Sequence, residues 1–136
     1  MFYQMFRSFG TQRPSKAVWI ALAAITVAGA AMRLYGLSLQ SFWFDEVCSW
    51  HTSTQPTLAG TWSGDIQWNM YPPLHGLILR AAIALFGSAE WALRLPSALA
   101  GIAAIPLMYL LAARIYGDAE GLLSAGFTAF SMFPLY

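Results

Sequence analysis

Two adjacent carboxylates, Asp45 and Glu46, lie within the aromatic stretch SFWFDEVCSW. Aromatic neighbours draw this segment toward a layer of low dielectric constant, where an ionised carboxylate is costly unless it is paired, hydrogen-bonded or used in chemistry. Such a carboxylate is a candidate general base or metal ligand. Neighbouring residues in an extended or turn segment point in different directions, so one can face a reacting group while the other holds the loop. The alternative is a solvated pair that helps to set membrane topology.

The composition predicts an integral membrane protein. Hydrophobic residues make up 58% of the 136-residue chain and charged residues only 10%, which is too apolar for a soluble domain of this size. The seven Lys and Arg residues form no basic patch, so a nucleic-acid partner is not expected. The lone Cys48 allows neither an internal disulfide nor a cysteine metal cluster. Because the last segment ends in mid-pattern, we expect the chain to be the front piece of a longer protein.

The elements that position the acidic pair are apolar helices around one long loop. We predict an all-α fold, a polytopic transmembrane helical bundle with the first loop outside, because basic residues precede the first helix and the loop carries none. The predicted segments are a cytoplasmic N-terminus (1–16), a transmembrane helix (17–37), an external loop with short juxtamembrane helices (38–72), a juxtamembrane or short transmembrane helix (73–86) and two further transmembrane helices (92–116 and 119–136). A cleaved signal peptide is the alternative for the first helix.

The segment 73–86 decides the topology of everything after it. With about 14 residues and Arg80 in its middle, it is short for a spanning helix, so we favour a helix that stays at the outer surface. Arg114 then lies in the cytoplasm, as the positive-inside rule prefers. If the segment spans instead, every later helix reverses direction and Arg114 lies outside.

Four sequence pieces, in this order, resemble the membrane glycosyltransferases of the GT-C fold. They are SFWFDEVCSW, YPPLHGLILR, ALRLPSALAGIAAIPLMYLLAARIYG and GLLSAGFTAFSMFPLY. Within that fold the chain is most similar to glycosyltransferase family 39, the group of protein O-mannosyltransferases, aminoarabinose transferases and bacterial lipopolysaccharide-sugar transferases. The resemblance implies transfer of a hexose or pentose from a polyprenyl-phosphate carrier to a lipid, glycan or protein acceptor. The reaction would take place at the external or periplasmic face of the plasma (inner) membrane.

The resemblance also implies roles for the charged residues. It places Asp45 at the active site as the general base or as the residue that orients the acceptor, with Glu46 beside it. The leaving phosphate requires positive charge, for which Arg94 and Arg80 are the candidates, with Arg33 behind them. For each arginine the alternative is a side chain that snorkels near a helix end.

Three further residues are candidate substrate contacts. Trp43 can stack on a sugar, although an interfacial belt is the commoner role of such tryptophans. Tyr71 stands where protein mannosyltransferases commonly have a histidine before two prolines, so a protein acceptor is not supported. His75 follows one turn into the helix, where an interfacial histidine is the alternative to a substrate contact.

Cofactor use and two competing functions stay open. A divalent cation is possible, but one acidic pair supplies too few ligands to define a metal site. The family's second acidic site would lie beyond Tyr136, so we expect this piece to be inactive alone. A transporter or channel fragment is the first alternative, although the helix from Leu95 to Ala113 carries no Asp, Glu, Lys, Arg or His to line a pathway. The second is a structural subunit without catalysis.

Overall fold

The computed structural model describes residues 14–38, 41–69 and 72–131, and their regular structure is entirely helical. The α-helices in this part of the chain are α1 (Lys16–Tyr35), α2 (Phe44–Ser53), α3 (Leu58–Gly64), α4 (Leu74–Phe86), α5 (Glu90–Tyr116) and α6 (Asp118–Phe130). A π-helical turn, Asp65–Asn69, directly follows α3. The expectation of an all-α fold is confirmed over these residues.

Two of these helices, α1 and α5, are long and apolar enough to cross a membrane. They occupy the places where the sequence predicts helices over 17–37 and 92–116. Ile20 on α1 is 70% exposed and Leu107 on α5 is 61% exposed, surfaces that suit lipid better than water. These features indicate a membrane protein, whereas the direction in which each helix crosses stays a prediction. The predicted cytoplasmic segment 1–16 and the predicted helix 119–136 lie partly outside the described residues.

The chain divides into two compact units, of which the first contains Met1–Tyr35 and Ala98–Tyr136. In its described part, α1, α6 and most of α5 pack around a small core made of Leu22, Ile105, Tyr109, Ala125 and Ala129. Glycines bring the helices close together: a Cβ at Gly29 would lie 2.6 Å from Ile105 Cδ1, and one at Gly121 would lie 2.8 Å from Ala113 Cβ. Close packing through small residues is typical of helices in membranes.

Arg33 in α1 closes the carboxyl end of α6. Its side chain is buried, and its guanidinium donates to the carbonyls of Thr128 (2.7 Å), Ala129 (3.0 Å) and Gly29 (3.1 Å). The last carbonyls of a helix lack intrahelical donors and carry the negative end of the helix dipole. Arg33 therefore caps α6 from the neighbouring helix, and a contact with donor phosphate stays a prediction.

The second unit, Gly36–Ser97, buries polar as well as apolar side chains and exposes several aromatic ones. Its buried side chains include Ser49, Thr52, Ser53, Thr61 and Asp65. Its outer surface carries aromatic residues, with Trp43 73% and Phe44 79% exposed. Exposed aromatic side chains of this kind suit a membrane interface. Short helices in the predicted external loop are thus present, and their juxtamembrane position stays a prediction.

A buried carboxylate joins the helices of the second unit. Asp65 begins the π-helical turn, and its Oδ1 accepts a hydrogen bond of 2.8 Å from Thr52 Oγ1 in α2. Its other oxygen faces the backbone of α4, where a Cβ at Gly76 would lie only 1.8 Å from Asp65 Oδ2. Gly76 therefore sits where α4 packs against Asp65, and only a residue without a side chain leaves that space open.

Candidate functional site

The acidic pair lies in the first turn of α2. This helix begins at Phe44, so both carboxylates lie near its amino end, where the helix dipole favours negative charge. Successive residues of a helix point about 100° apart. Accordingly, Asp45 is exposed whereas Glu46 is partly buried. The two neighbours therefore have different surroundings.

Glu46 forms a bidentate ion pair with Arg94, which lies in the first turns of α5. Arg94 Nε donates to Glu46 Oε1 and Arg94 Nη2 donates to Glu46 Oε2, each at 2.7 Å. Glu46 Oε2 also accepts from the backbone N–H of Trp43 at 3.0 Å, as the third helical residue does in a capping box. Two parallel charge-assisted bonds fix orientation as well as adding energy. Glu46 thus joins the start of α2 to α5.

Arg94 also holds the chain that leads into α2. Its Nη1 donates to the carbonyl of Leu37 at 3.0 Å and its Nη2 to the carbonyl of Ser41 at 3.3 Å. Its Cζ lies 6.0 Å from the centroid of the Phe42 ring, within cation–π range. The guanidinium that the sequence suggested for phosphate is thus directed at protein groups, and phosphate binding by Arg94 stays a prediction.

The ion pair changes the acidity of Glu46. The hydrogen bond from the Arg94 guanidinium holds the pKa of Glu46 below its ordinary value; partial burial acts in the opposite direction, and the bond from Trp43 N–H lowers the pKa further. Glu46 is therefore ionised at neutral pH. A carboxylate with a lowered pKa is a weaker proton acceptor, which disfavours Glu46 as the general base. The role of Asp45 as the base stays a prediction.

The lowered pKa predicts acid sensitivity of the second unit. A carboxylate whose pKa is lower in the folded than in the unfolded chain stabilises the fold above its unfolded pKa, about 4.3, and this stabilisation is lost as the pH falls through the folded value. We expect Glu46→Gln to lower stability at neutral pH by about 1 kcal/mol. Thermal unfolding of the purified protein in detergent at several pH values measures this. An equally steep acid loss in wild type and Glu46→Gln would contradict the assignment.

Arg80 caps the carboxyl end of α2. Its Nη1 donates to the carbonyls of Ser53 (3.4 Å) and Gln55 and to Thr61 Oγ1 (3.2 Å), and its Nη2 donates to the carbonyl of Pro56 (3.4 Å). The side chain thereby ties the α2–α3 connection to α4. Phosphate binding by Arg80 stays a prediction, as it does for Arg94.

The candidate substrate contacts are distributed unevenly. Trp43 precedes α2 and is highly exposed beside the acidic pair. His75 is exposed in the first turn of α4, and within the described segments no hydrogen bond joins its ring to Asp45, Glu46 or Arg94. Tyr71 lies outside the described residues. The structure therefore gathers Trp43 with the acidic pair and Arg94, and the substrate roles of all three candidates stay predictions.

Comparison with known families finds a match in the second half of the chain. Residues 70–136 match the family model of dolichyl-phosphate-mannose-protein mannosyltransferases. The match covers just under half of the chain and supports the coarse family, a mannosyltransferase-like membrane glycosyltransferase of the GT-C type. No curated protein and no solved structure matches the chain.

The mannosyltransferase match and the acidic pair lie in different parts of the sequence. The matched residues include Arg80 and Arg94 and begin after Asp45 and Glu46. The ion pair between Glu46 and Arg94 connects the two parts. Among the residues described, no three His, Cys, Asp or Glu side chains form a group that could hold a metal ion, and the possible divalent cation stays open.

Several groups that support the site could not be recognised from residue type. The backbone carbonyls of Leu37 and Ser41, which Arg94 binds, carry no signal in residue type. Thr52 and Asp65 both lie in the predicted external loop, and nothing in their residue types indicated that they form a hydrogen bond. Prediction of a helix over residues 44–53 would have indicated that Thr52 is buried. Ser49, Thr52 and Ser53 recur at helical spacing on the side opposite the aromatic side chains.

Proposed function

We propose that the chain belongs to a membrane glycosyltransferase that moves a sugar from a polyprenyl phosphate to a lipid, glycan or protein acceptor at the outer face of the plasma (inner) membrane. The Glu46–Arg94 ion pair carries the proposal, since it links the acidic loop to the segment that matches the mannosyltransferase family. Apolar α1 and α5 support the membrane setting. Tyr71, in the place of a common histidine, favours a lipid or glycan acceptor over a protein.

In this proposal Asp45 acts on the acceptor. Its exposed carboxylate takes the proton of the acceptor hydroxyl or amine as that group attacks the anomeric carbon of the sugar. The bond between the anomeric carbon and the phosphate oxygen breaks, and the polyprenyl phosphate leaves with the bonding electrons. A single displacement of this kind inverts the anomeric centre.

The leaving phosphate gains negative charge and requires cationic or N–H donors. Arg80 and Arg94 are the sequence candidates, and both direct donors at protein oxygens. Phosphate binding by either would require an exchange of these partners when the donor arrives. Trp43, next to the acidic pair, is the proposed stacking surface for a sugar.

Donor consumption tests the proposed function. Membranes that contain the complete protein encoded by the gene are given polyprenyl-phosphate-linked sugars, and free polyprenyl phosphate is measured over time. We expect release of the lipid phosphate to depend on the protein, with membranes from cells that lack the gene as the control. If no donor is consumed and proteoliposomes instead show a solute flux, the protein is a transporter and the proposal is wrong.

A further inference from the structure

We propose that Glu46 and Arg94 form a positioning pair that fixes Asp45 for the transfer reaction and that neither residue touches the substrates. The inference rests on the proposed function, in which Asp45 is the base. It assigns to the second carboxylate and to the arginine of α5 a role different from the catalytic and phosphate-binding roles that the sequence suggested.

The hydrogen bonds of Glu46 and Arg94 are directed at each other and at the protein backbone. Both oxygens of Glu46 accept from Arg94 at 2.7 Å, and Oε2 accepts from the Trp43 N–H as well. Arg94 also donates to the carbonyls of Leu37 and Ser41. These contacts are with residues 37–46, so the pair holds the segment that enters α2.

The Glu46 end of the ion pair lies directly beside Asp45 in the sequence and in the helix. Asp45 precedes Glu46 directly and lies in the same first turn of α2, whose start is fixed by the bond between Glu46 and Trp43 N–H. Helix ends fray unless side chains satisfy their free N–H groups. Fraying of this turn would move the Asp45 carboxylate, and a displacement of about 1 Å can cost about a hundredfold in rate.

The hydrogen bonds of Glu46 hold it in the ionised state. Its oxygens already accept three hydrogen bonds, two of them from a cation, so the carboxylate is stabilised as an anion. Asp45 is exposed at the same helix start and is available to an acceptor. Asp45 is therefore the carboxylate that reacts, and Glu46 stabilises the start of the helix.

A double-mutant cycle with steady-state kinetics tests the pair. Glu46→Gln, Arg94→Gln and the double variant are compared with wild type in the complete protein, at matched levels in membranes. We expect each single variant to lower kcat by about ten- to a hundredfold with little change in the donor KM. The double variant should be no slower than the worse single one, because the two residues act as a unit. Arg94→Lys should recover only part of kcat, since Lys cannot bind the carboxylate in the same bidentate way.

The pH dependence of kcat/KM separates positioning from catalysis. If Glu46 only positions Asp45, the acid limb of the profile persists in Glu46→Gln at a lower rate. Loss of that limb in Glu46→Gln would make Glu46 the base and overturn the inference. A raised donor KM in Arg94→Gln with unchanged kcat would make Arg94 a donor ligand and also overturn it, as would additive effects in the double variant.

Two controls keep the outcomes distinct. Glu120→Gln and Arg114→Gln remove the same charges at exposed positions on α6 and at the far end of α5, and both should transfer sugar at the wild-type rate. Asp45→Asn is assayed alongside. Full activity of Asp45→Asn would refute the proposed function itself, whereas an inactive Asp45→Asn with additive effects at Glu46 and Arg94 would refute only the positioning pair.

Discussion

Asp45→Asn is expected to abolish sugar transfer while the protein still inserts into the membrane at the wild-type level. The amide has nearly the shape of the carboxylate but cannot accept the acceptor's proton, and a positioned general base contributes about 10²–10⁴-fold to rate. Because Asp45 is exposed, its replacement disturbs no buried contact. The measurement is the amount of sugar transferred to acceptor in membranes, with donor KM determined for any residual activity.

The matched control for this prediction is Glu120→Gln, which also removes one exposed carboxylate from the first turn of a helix. It should leave transfer unchanged. If Asp45→Asn and Glu120→Gln are equally active, Asp45 is a solvated surface residue that influences topology, and the resemblance to the GT-C enzymes is one of fold alone.

Gly76→Ala is expected to destabilise the second unit by about 1–3 kcal/mol, the usual cost of overpacking a buried site. The new methyl group would lie 1.8 Å from Asp65 Oδ2, and Asp65 cannot turn away freely because Thr52 binds its other oxygen. Either α4 or the π-helical turn must move. Thermal unfolding of the detergent-purified protein should show a midpoint lower by several degrees.

Gly126→Ala provides the control for Gly76→Ala, since Gly126 is also helical and a Cβ there meets nothing within 4 Å. Alanine is the better helix former, so this variant should be as stable as wild type or slightly more stable. Equal unfolding midpoints for Gly76→Ala and Gly126→Ala would show that α4 does not pack tightly against Asp65.

The helices could be predicted from the sequence because their signals are local. Long apolar runs between Lys16 and Tyr35 and between Glu90 and Tyr116 exceed what a soluble helix requires, and the prolines before Leu74 and the glycine after Phe86 limit α4. Gly87 has φ 82°, a conformation that favours glycine, which is why the helix ends there.

The partners of the charged residues could not be predicted, because they depend on long-range packing. Glu46 and Arg94 are 48 residues apart, and Arg80 binds carbonyls that no residue type distinguishes. Side-chain type alone suggested that both arginines were available for phosphate. In the structure, Arg80 holds the end of α2 and Arg94 holds its start, where guanidinium donors satisfy backbone and carboxylate oxygens.

In the proposed mechanism, the carboxylate of Asp45 at the start of α2 performs the transfer chemistry. The initial rate of polyprenyl phosphate release at saturating donor, compared between wild type and Asp45→Asn at equal protein levels in membranes, tests it most directly. The account predicts a loss of at least about a hundredfold in the variant. Release at the wild-type rate would contradict it.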